Sequence, residues 1–271
     1  MKQRKNTILP VLAAVLVFLV VYIAWGNTAL EQNSYVICSD RIPSVFSGFR
    51  IAQISDLHNA EFGEENAELL KPLRESSPDI IVITGDLVDS YHTDLEISLD
   101  FASEAMKIAP CYYVTGNHEA RISGYGALKA GLEASGVVVL ENEIVNLERC
   151  GETISLAGAM DPSFRKGSII NELHAGETYT ILLAHRPELF DSYAAAGVDL
   201  VFTGHAHGGQ FRLPVVGGLL APNQGLFPRY DAGIYTEGRT NMLVSRGIGN
   251  SIFPFRFNNP PEIILVILKQ G

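Results

Sequence analysis

Five short apolar runs in this chain have strand length, and each ends in a polar cluster carrying aspartate, asparagine or histidine. Phe49 to Ser55 leads into Asp56-Leu57-His58, and the β-branched run Asp79 to Thr84 leads into Gly85-Asp86. Cys111 to Thr115 ends in Gly116-Asn117-His118-Glu119, Thr178 to Leu183 in Ala184-His185, and Val198 to Phe202 in Thr203-Gly204-His205-Ala206-His207. Apolar, β-branched runs of this kind read as strands buried on both faces. Helical stretches over 64–75, 94–108 and 188–196 follow three of them, with Pro72 predicted to kink or end the first early. Alternating strands and helices make an α/β sheet, and such sheets bind ligands beyond the carboxyl ends of their strands.

The second half adds strand candidates at 137–140, 144–147, 153–157, 241–245 and 262–268. A Gly- and Pro-rich stretch over 217–238 reads as an ordered loop. No internal repeat and no shift in composition follows residue 48, so 49–271 reads as one catalytic domain.

The N-terminus is different. Ile8 to Trp25 is eighteen residues without a charge, preceded by Lys2, Arg4 and Lys5. A bilayer core needs roughly 20 apolar residues, so this stretch predicts a single membrane-spanning helix. A cleaved signal peptide would have a shorter apolar core and a small-residue cleavage site, and Asn27-Thr28-Ala29 serves poorly as one. The chain therefore divides into an anchor (1–28), a connector with a short strand at 35–38 (29–48) and the catalytic domain (49–271). Basic residues before the helix predict a cytoplasmic N-terminus, which places the domain outside the cytoplasm.

Thirty acidic against twenty basic residues give a net charge of −10. A protein gripping duplex nucleic acid by its phosphates needs a basic excess, so duplex nucleic acid is not an expected partner. An acidic chain can still handle phosphate if bound cations supply the positive charge. Cys38, Cys111 and Cys150 are widely spaced without a CxxC, which predicts buried thiols outside any metal site. Their pairing stays open.

Of seven histidines, only His92 and His174 fall outside the strand-end clusters. Neutral imidazole is a common ligand for divalent transition metals, and the flanking glycines let His205 and His207 both turn toward one point beyond their strand. The candidate ligands Asp56, His58, Asp86, Asn117, His185, His205 and His207 mix carboxylate, imidazole and one carboxamide oxygen. That mixture suits Mn, Fe or Zn better than Ca or Mg. Seven ligands are too many for one tetrahedral ion and fit two divalent ions sharing a carboxylate bridge, for which Asp86 is the natural choice. Two ions about 3.5–4 Å apart can hold a hydroxide between them for in-line attack at phosphorus. His118 is not needed to fill a shell and can face the substrate as the catalytic residue.

The ordered blocks Asp56-x-His58, Gly85-Asp86-x-x-Asp89, Gly116-Asn117-His118-Glu119, His185 and Gly204-His205-x-His207 resemble the calcineurin-like metallophosphoesterase superfamily. The resemblance implies a two-layered mixed β-sandwich flanked by helices, an α/β fold, with a dinuclear centre on loops at the strand ends. It assigns Asp56, His58, Asp86 and His207 to one metal and Asp86, Asn117, His185 and His205 to the other, with His118 catalytic and Asp89 and Glu119 in support. Gly208-Gly209-Gln210, the tail Ser245 to Ser251 with Pro254 to Phe257, and Pro261-Glu262-Ile263 resemble a bacterial membrane-associated subfamily. Its members are similar to cell-envelope phosphoesterases or UDP-2,3-diacylglucosamine hydrolases. Met160-Asp161-Pro162 departs from that pattern, because a second acidic residue is expected before Asp161.

The resulting expectation is a dinuclear metal-dependent hydrolase cleaving a phosphodiester or pyrophosphate of an envelope component, with no protein partner. Cleavage of UDP-2,3-diacylglucosamine is an alternative that sits awkwardly with an extracytoplasmic domain, since that substrate is made on the cytoplasmic side. A non-catalytic tethered scaffold would be expected to have lost a ligand, and every position here is filled. Arg246 and Arg256 are candidates for binding a non-scissile phosphate. Phe227, Tyr230, Phe253, Phe255 and Phe257 are candidates for an apolar lip, or for core.

Overall fold

Strand 80–84 is buried at all five positions, and its alternation assigns a partner to each face. Ile81 and Ile83 pack with Leu69, Leu73, Phe101 and Leu128 beneath a layer of helices, whereas Ile80 and Val82 pack against a second sheet through Leu156, Ile181 and Phe202. A period-two backbone with two apolar faces must be covered on both sides, and the fold follows from that.

The computed structural model describes residues 8–173, 176–250 and 253–271. Lys2, Arg4, Lys5, His174 and Ser251, named above, lie outside them. In chain order the elements begin with α1 (Ile8–Thr28), β1 (Glu31–Ser39), β2 (Arg50–Ile54), α2 (Ala67–Glu75), β3 (Ile80–Thr84) and α3 (Leu95–Met106). Next come β4 (Cys111–Val114), α4 (Tyr125–Ala134), β5 (Val138–Val139), β6 (Glu143–Arg149), β7 (Glu152–Gly158), β8 (Thr180–Leu183), α5 (Phe190–Ala195) and β9 (Leu200–Thr203). Two short hairpins, β10 (Arg212–Leu213) with β11 (Gly217–Gly218) and β12 (Leu220–Ala221) with β13 (Gly225–Leu226), precede β14 (Gly233–Glu237), β15 (Thr240–Val244) and β16 (Glu262–Gln270).

One six-stranded sheet has the order β1-β16-β2-β3-β4-β5 and the other β14-β15-β9-β8-β7-β6. They face each other through the core cluster that contains Ile51, Leu183, Leu200 and Ile264. Helices α2, α3 and α4 cover the outside of the first sheet, and α5 packs on the outside of the second through Phe190 and Tyr193. The two-layered mixed sandwich flanked by helices is thus the observed architecture.

Four details differ from the sequence reading. The stretch read as a connector carries a nine-residue edge strand, β1, parallel to β16. Pro72 neither kinks nor ends its helix early: α2 runs on to Glu75, held by the burial of Leu69, Leu70 and Leu73. Helix α4, whose Leu128 and Leu132 enter the core four residues apart, has no counterpart in the sequence reading, because Gly124, Gly126 and Gly131 dilute its apolar stripe. The loop over 217–238 contains hairpin strands and the edge strand β14. The apolar helix α1 is long enough to cross a membrane and has most of its side chains exposed.

Ile181 is wholly buried between the sheets, so Ile181→Ala should cost about 2–5 kcal/mol in chemical denaturation. Leu226, 71% exposed, should tolerate the same truncation within about 0.5 kcal/mol.

Candidate metal centre

Strands β2, β3 and β4 run parallel in one sheet and β8 and β9 parallel in the other. Their carboxyl ends deliver Asp56 and His58, Asp86, Asn117 and His118, His185, and His205 and His207 to the same edge of the sandwich. The turns there are sharp. Asp56, His58, Asp86, His205 and His207 all have positive φ, between 47° and 64°. Left-handed backbone is uncommon for residues with a Cβ and persists only where the surroundings over-determine it. The ties are visible: the Asp56 amide donates to the Gly85 carbonyl and the His58 amide to the Asp86 carbonyl, both at 3.0 Å. Gly116 and Gly204 permit the close approach, since a Cβ would stand 2.2 Å from Asp86 Oδ1 at the first and 1.9 Å from Ser55 Oγ at the second.

The clusters fall into two outer groups joined by a third, His58 with Asp86 and His118, through which Asp86 reaches both. Ligand atoms of Asp56, His58 and His207 lie within 4.8 Å of one another, as do those of Asp86, His185 and His205. In the first group His207 Nε2 is 3.5 Å from Asp56 Oδ1 and 3.2 Å from His58 Nε2. Asp86 Oδ2 stands 3.7 Å from His58 Nε2 and 3.2 Å from His185 Nε2, so it reaches both groups. His205 and His207 therefore do not converge on one point, contrary to the simple reading of the pair. The left-handed turns at both residues send one imidazole to each group.

These residues fit divalent ions. Asn117 Oδ1 and His185 Nε2 are buried with no hydrogen-bond partner, which is costly unless something else binds them. The other nitrogen of His185 donates to the Thr84 carbonyl at 2.8 Å, which leaves Nε2 directed at Asp86 Oδ2, 3.2 Å away. Burial pushes His58 down to about 4 and His205 and His207 well below the usual histidine range, so all three are neutral imidazoles at pH 7, able to serve as ligands. Burial likewise pushes Asp56 up to about 6. At Asp86 burial opposes the charge, yet the neighbouring His185 and His58 hold the carboxyl well below its usual range. His185 is the partner: burial disfavours its cation, and the Asp86 charge raises it to about 10.

His118 stands apart from the two groups in role. Its amide donates to Asp86 Oδ1 at 2.8 Å, and its Nδ1 accepts from the Ser90 amide at 3.0 Å. Neutral His118 therefore carries its proton on Nε2. Asp89, 3.7 Å from Nδ1, accepts from the Tyr91 amide and shapes the loop. Buried Glu119 ties two loops together by accepting from the backbone amides of Gly116, Leu87 and Asp86 at 2.7, 2.8 and 3.0 Å.

A cavity of about 480 Å³ opens over the centre, lined by Asp86, Asn117, His118, His205 and His207 and by Arg121 and Arg186. Arg186 is the functional candidate that the sequence reading missed. Its Nε and Nη2 grip Asp161 at 2.6 and 3.1 Å, and Nη1 lies 2.9 Å from His205 Nε2. Its only sequence signal is its place directly after His185. Asp161, the residue of the unusual Met160-Asp161-Pro162 stretch, thus positions the cavity's main cation.

Arg246 and Arg256 lie outside the cavity lining. Arg246 pairs with Glu31 at 2.8 Å and Glu262 at 3.3 Å. Arg256 is 1% exposed and donates to the carbonyls of Arg246 and Gly249 at 2.9 and 2.5 Å. Both brace the loop over 246–259, in which Gly249 donates to the Asp56 carbonyl and Asn259 to the His207 carbonyl. Of the candidate lip aromatics, Tyr230 is buried and Phe227 is 63% exposed. Cys111 is buried, whereas Cys38 and Cys150 are exposed, and all three are free thiols.

Comparison with known proteins places this arrangement among relatives. Residues 49–209 match the family model described as calcineurin-like phosphoesterase. A Bacillus subtilis protein described as the uncharacterized metallophosphoesterase YkuE is 32% identical over 250 residues, covering 89% of this chain and 86% of that one. Phosphodiesterase YaeI of Escherichia coli is 28% identical over 228 residues, 81% of this chain and 82% of its own. A Danio rerio transmembrane protein with metallophosphoesterase domain is 28% identical over 253 residues, 86% of this chain but 56% of that longer protein.

Metal binding must displace a proton from His185, which is cationic at pH 7 in the absence of metal, and below about pH 6 a second from Asp56. Affinity should therefore rise with pH, about tenfold per unit for each proton displaced. Calorimetry in buffers of different ionisation enthalpy should detect at least one proton released at pH 7 and more at pH 5.5.

Proposed function

The chain belongs to the calcineurin-like phosphoesterase family, and from that premise we propose that it hydrolyses a phosphodiester or pyrophosphate bond in a cell-envelope component. The observation that carries the reading is the sharing of Asp86 between two buried ligand groups. In this reading Asp56, His58, Asp86 and His207 hold one divalent ion, and Asp86, Asn117, His185 and His205 hold the second. When bound, two such ions acidify a water and neutralise the phosphoryl oxygens. The ligand chemistry favours Mn, Fe or Zn.

The chain's own side chains account for the rest. Arg186, held by Asp161, presents a fixed guanidinium to a phosphoryl oxygen in the cavity. His118, with its proton on Nε2, is set to donate to the leaving oxygen while Ser90 holds Nδ1. The cavity leaves space beside Pro162, Leu189 and Asn223 for a leaving group. A lipid-linked pyrophosphate such as UDP-2,3-diacylglucosamine is a second reading. It is favoured by an apolar pocket of about 170 Å³ beside His207, lined by Leu220, Ala221 and Phe253.

The full chain in detergent, stripped of metal and then given Mn²⁺, Zn²⁺, Fe²⁺ or Mg²⁺, should cleave a chromogenic phosphodiester only with metal. His118→Ala should lower kcat by about 10²–10⁴-fold while metal binding is retained. Asp86→Ala should lose both activity and metal. No turnover of diester, monoester or pyrophosphate with two metals bound would sink the reading. We also propose that the domain lies outside the cytoplasm, in which case an impermeant maleimide should label exposed Cys150 in intact cells. Labelling only after lysis would place the domain inside.

A further inference from the structure

Three stretches without an acidic residue meet at one corner of the molecule. They are α1, residues 211–227 and residues 253–261, and in a chain of net charge −10 their only charges are Arg212 and Arg256. Both are used internally: Arg212 pairs with Asp231 at 2.9 Å, and Arg256 is buried on backbone carbonyls. What remains at the surface is mainly apolar, and in 211–227 and 253–261 the exposed polar side chains are Asn223 and Asn258. Val215, Val216, Leu226 and Phe227 are 107, 56, 71 and 63% exposed, and Phe253 and Phe257 are each 37% exposed.

A run of contacts joins this surface to α1. The Tyr22 ring lies 5.4 Å from that of Phe257, and the Arg256 amide donates to Asn27 at 3.0 Å. Phe257 bridges Phe211 in parallel register, and the Phe211 ring is 5.3 Å from that of Phe253. From Phe211 the backbone bonds continue into the hairpins, with Leu219 donating to Phe211 and Phe227 to Leu219.

Helix length sets the depth. Tyr22 precedes the end of α1 by six residues, or ~9 Å of rise, and residues 8–21 alone rise only ~21 Å. A hydrocarbon core is about 30 Å thick. If α1 crosses a bilayer, residues 22–28 are needed to complete the span, so Tyr22 and Trp25 lie within ~9 Å of its boundary, near the zone where such aromatics concentrate. Phe257, packed on Tyr22, is carried to the same depth.

We propose that the double hairpin over 211–227, together with the loop over 253–257, is a second membrane contact: an apolar lobe resting at the boundary between headgroups and acyl chains beside α1. The partner is a lipid bilayer. Its attraction is hydrophobic, because the lobe presents mainly aliphatic and aromatic side chains and its two charges, Arg212 and Arg256, are already engaged within the protein. The lobe also borders the apolar pocket next to His207, so the lipid boundary lies at the mouth of the metal cavity. This inference rests on the reading of α1 as a membrane segment and is independent of the hydrolytic reading.

Trp25 is the single tryptophan, which makes fluorescence quenching by brominated phosphatidylcholine the direct test. The full chain is reconstituted in phosphatidylcholine vesicles, and W25F carriers of F227W, V216W or E148W are compared with the unsubstituted chain. Glu148 is exposed on β6, in the second sheet. F227W and V216W should lose emission to a degree comparable with Trp25, and E148W should lose none. Unquenched F227W and V216W beside a quenched Trp25 would overturn the proposal, and cross-linking between chains at the lobe would then assign it to a second copy. Unquenched Trp25 would remove α1 from the bilayer, and the proposal with it, while hydrolysis of a soluble diester would stay untouched.

Discussion

The Asp86 carboxylate reaches His58 on one side and His185 on the other, and loops from both sheets are tied together to keep it there. Glu119 holds the Asp86 and Leu87 amides from one loop, and the Asp86 carbonyl holds the His58 amide of another. Removing water from so many polar groups is unfavourable in itself, as the opposed shifts of Asp56 and His58 show. Divalent cations would resolve the conflict, because such ions can bind carboxylates and neutral imidazoles at once. The turns that carry these groups are closely tied: left-handed backbone at five of the expected ligands persists only where the surroundings over-determine it.

The molecule separates its charges from its apolar surface. An acidic chain keeps two arginines, Arg186 and Arg121, in the lining of the cavity and leaves one corner without acidic residues. The loop over 246–259 connects the two regions. On its inner side it supports Asp56 and His207, and on its outer side Phe257 packs against α1. The buried Arg256 is central to that loop, since its guanidinium fills the space between carbonyls that would otherwise lack donors. An arginine in a motif-like tail thus stiffens the loop behind the centre.

Much of the fold was legible because its strands are short, β-branched and buried on both faces, so 79–84, 111–115 and 198–202 stood out without periodicity arguments. Helix α4 escaped because its glycines mask the Leu128 and Leu132 spacing. Strand β1 was read too short because an edge strand carries polar residues on its exposed face. The ligands were visible as histidines and aspartates at strand ends, but Arg186 was not: an arginine beside a histidine has no spacing signature, and only the contact with Asp161 gives it direction. Arg246 and Arg256 show the converse, because composition alone cannot tell a guanidinium facing a cavity from one buried against backbone.

By itself the sequence determined the strand-end chemistry and the apolar N-terminal run, because both depend on residue type and local order. Tertiary structure alone decided that Asp161 turns Arg186 toward the cavity, that Arg246 and Arg256 turn away from it, and that the 211–227 hairpins lie beside α1. Each of these depends on how loops from distant strands approach, which is fixed by the parallel register of β2 with β3 and of β8 with β9 and by glycines that admit contact closer than a Cβ allows.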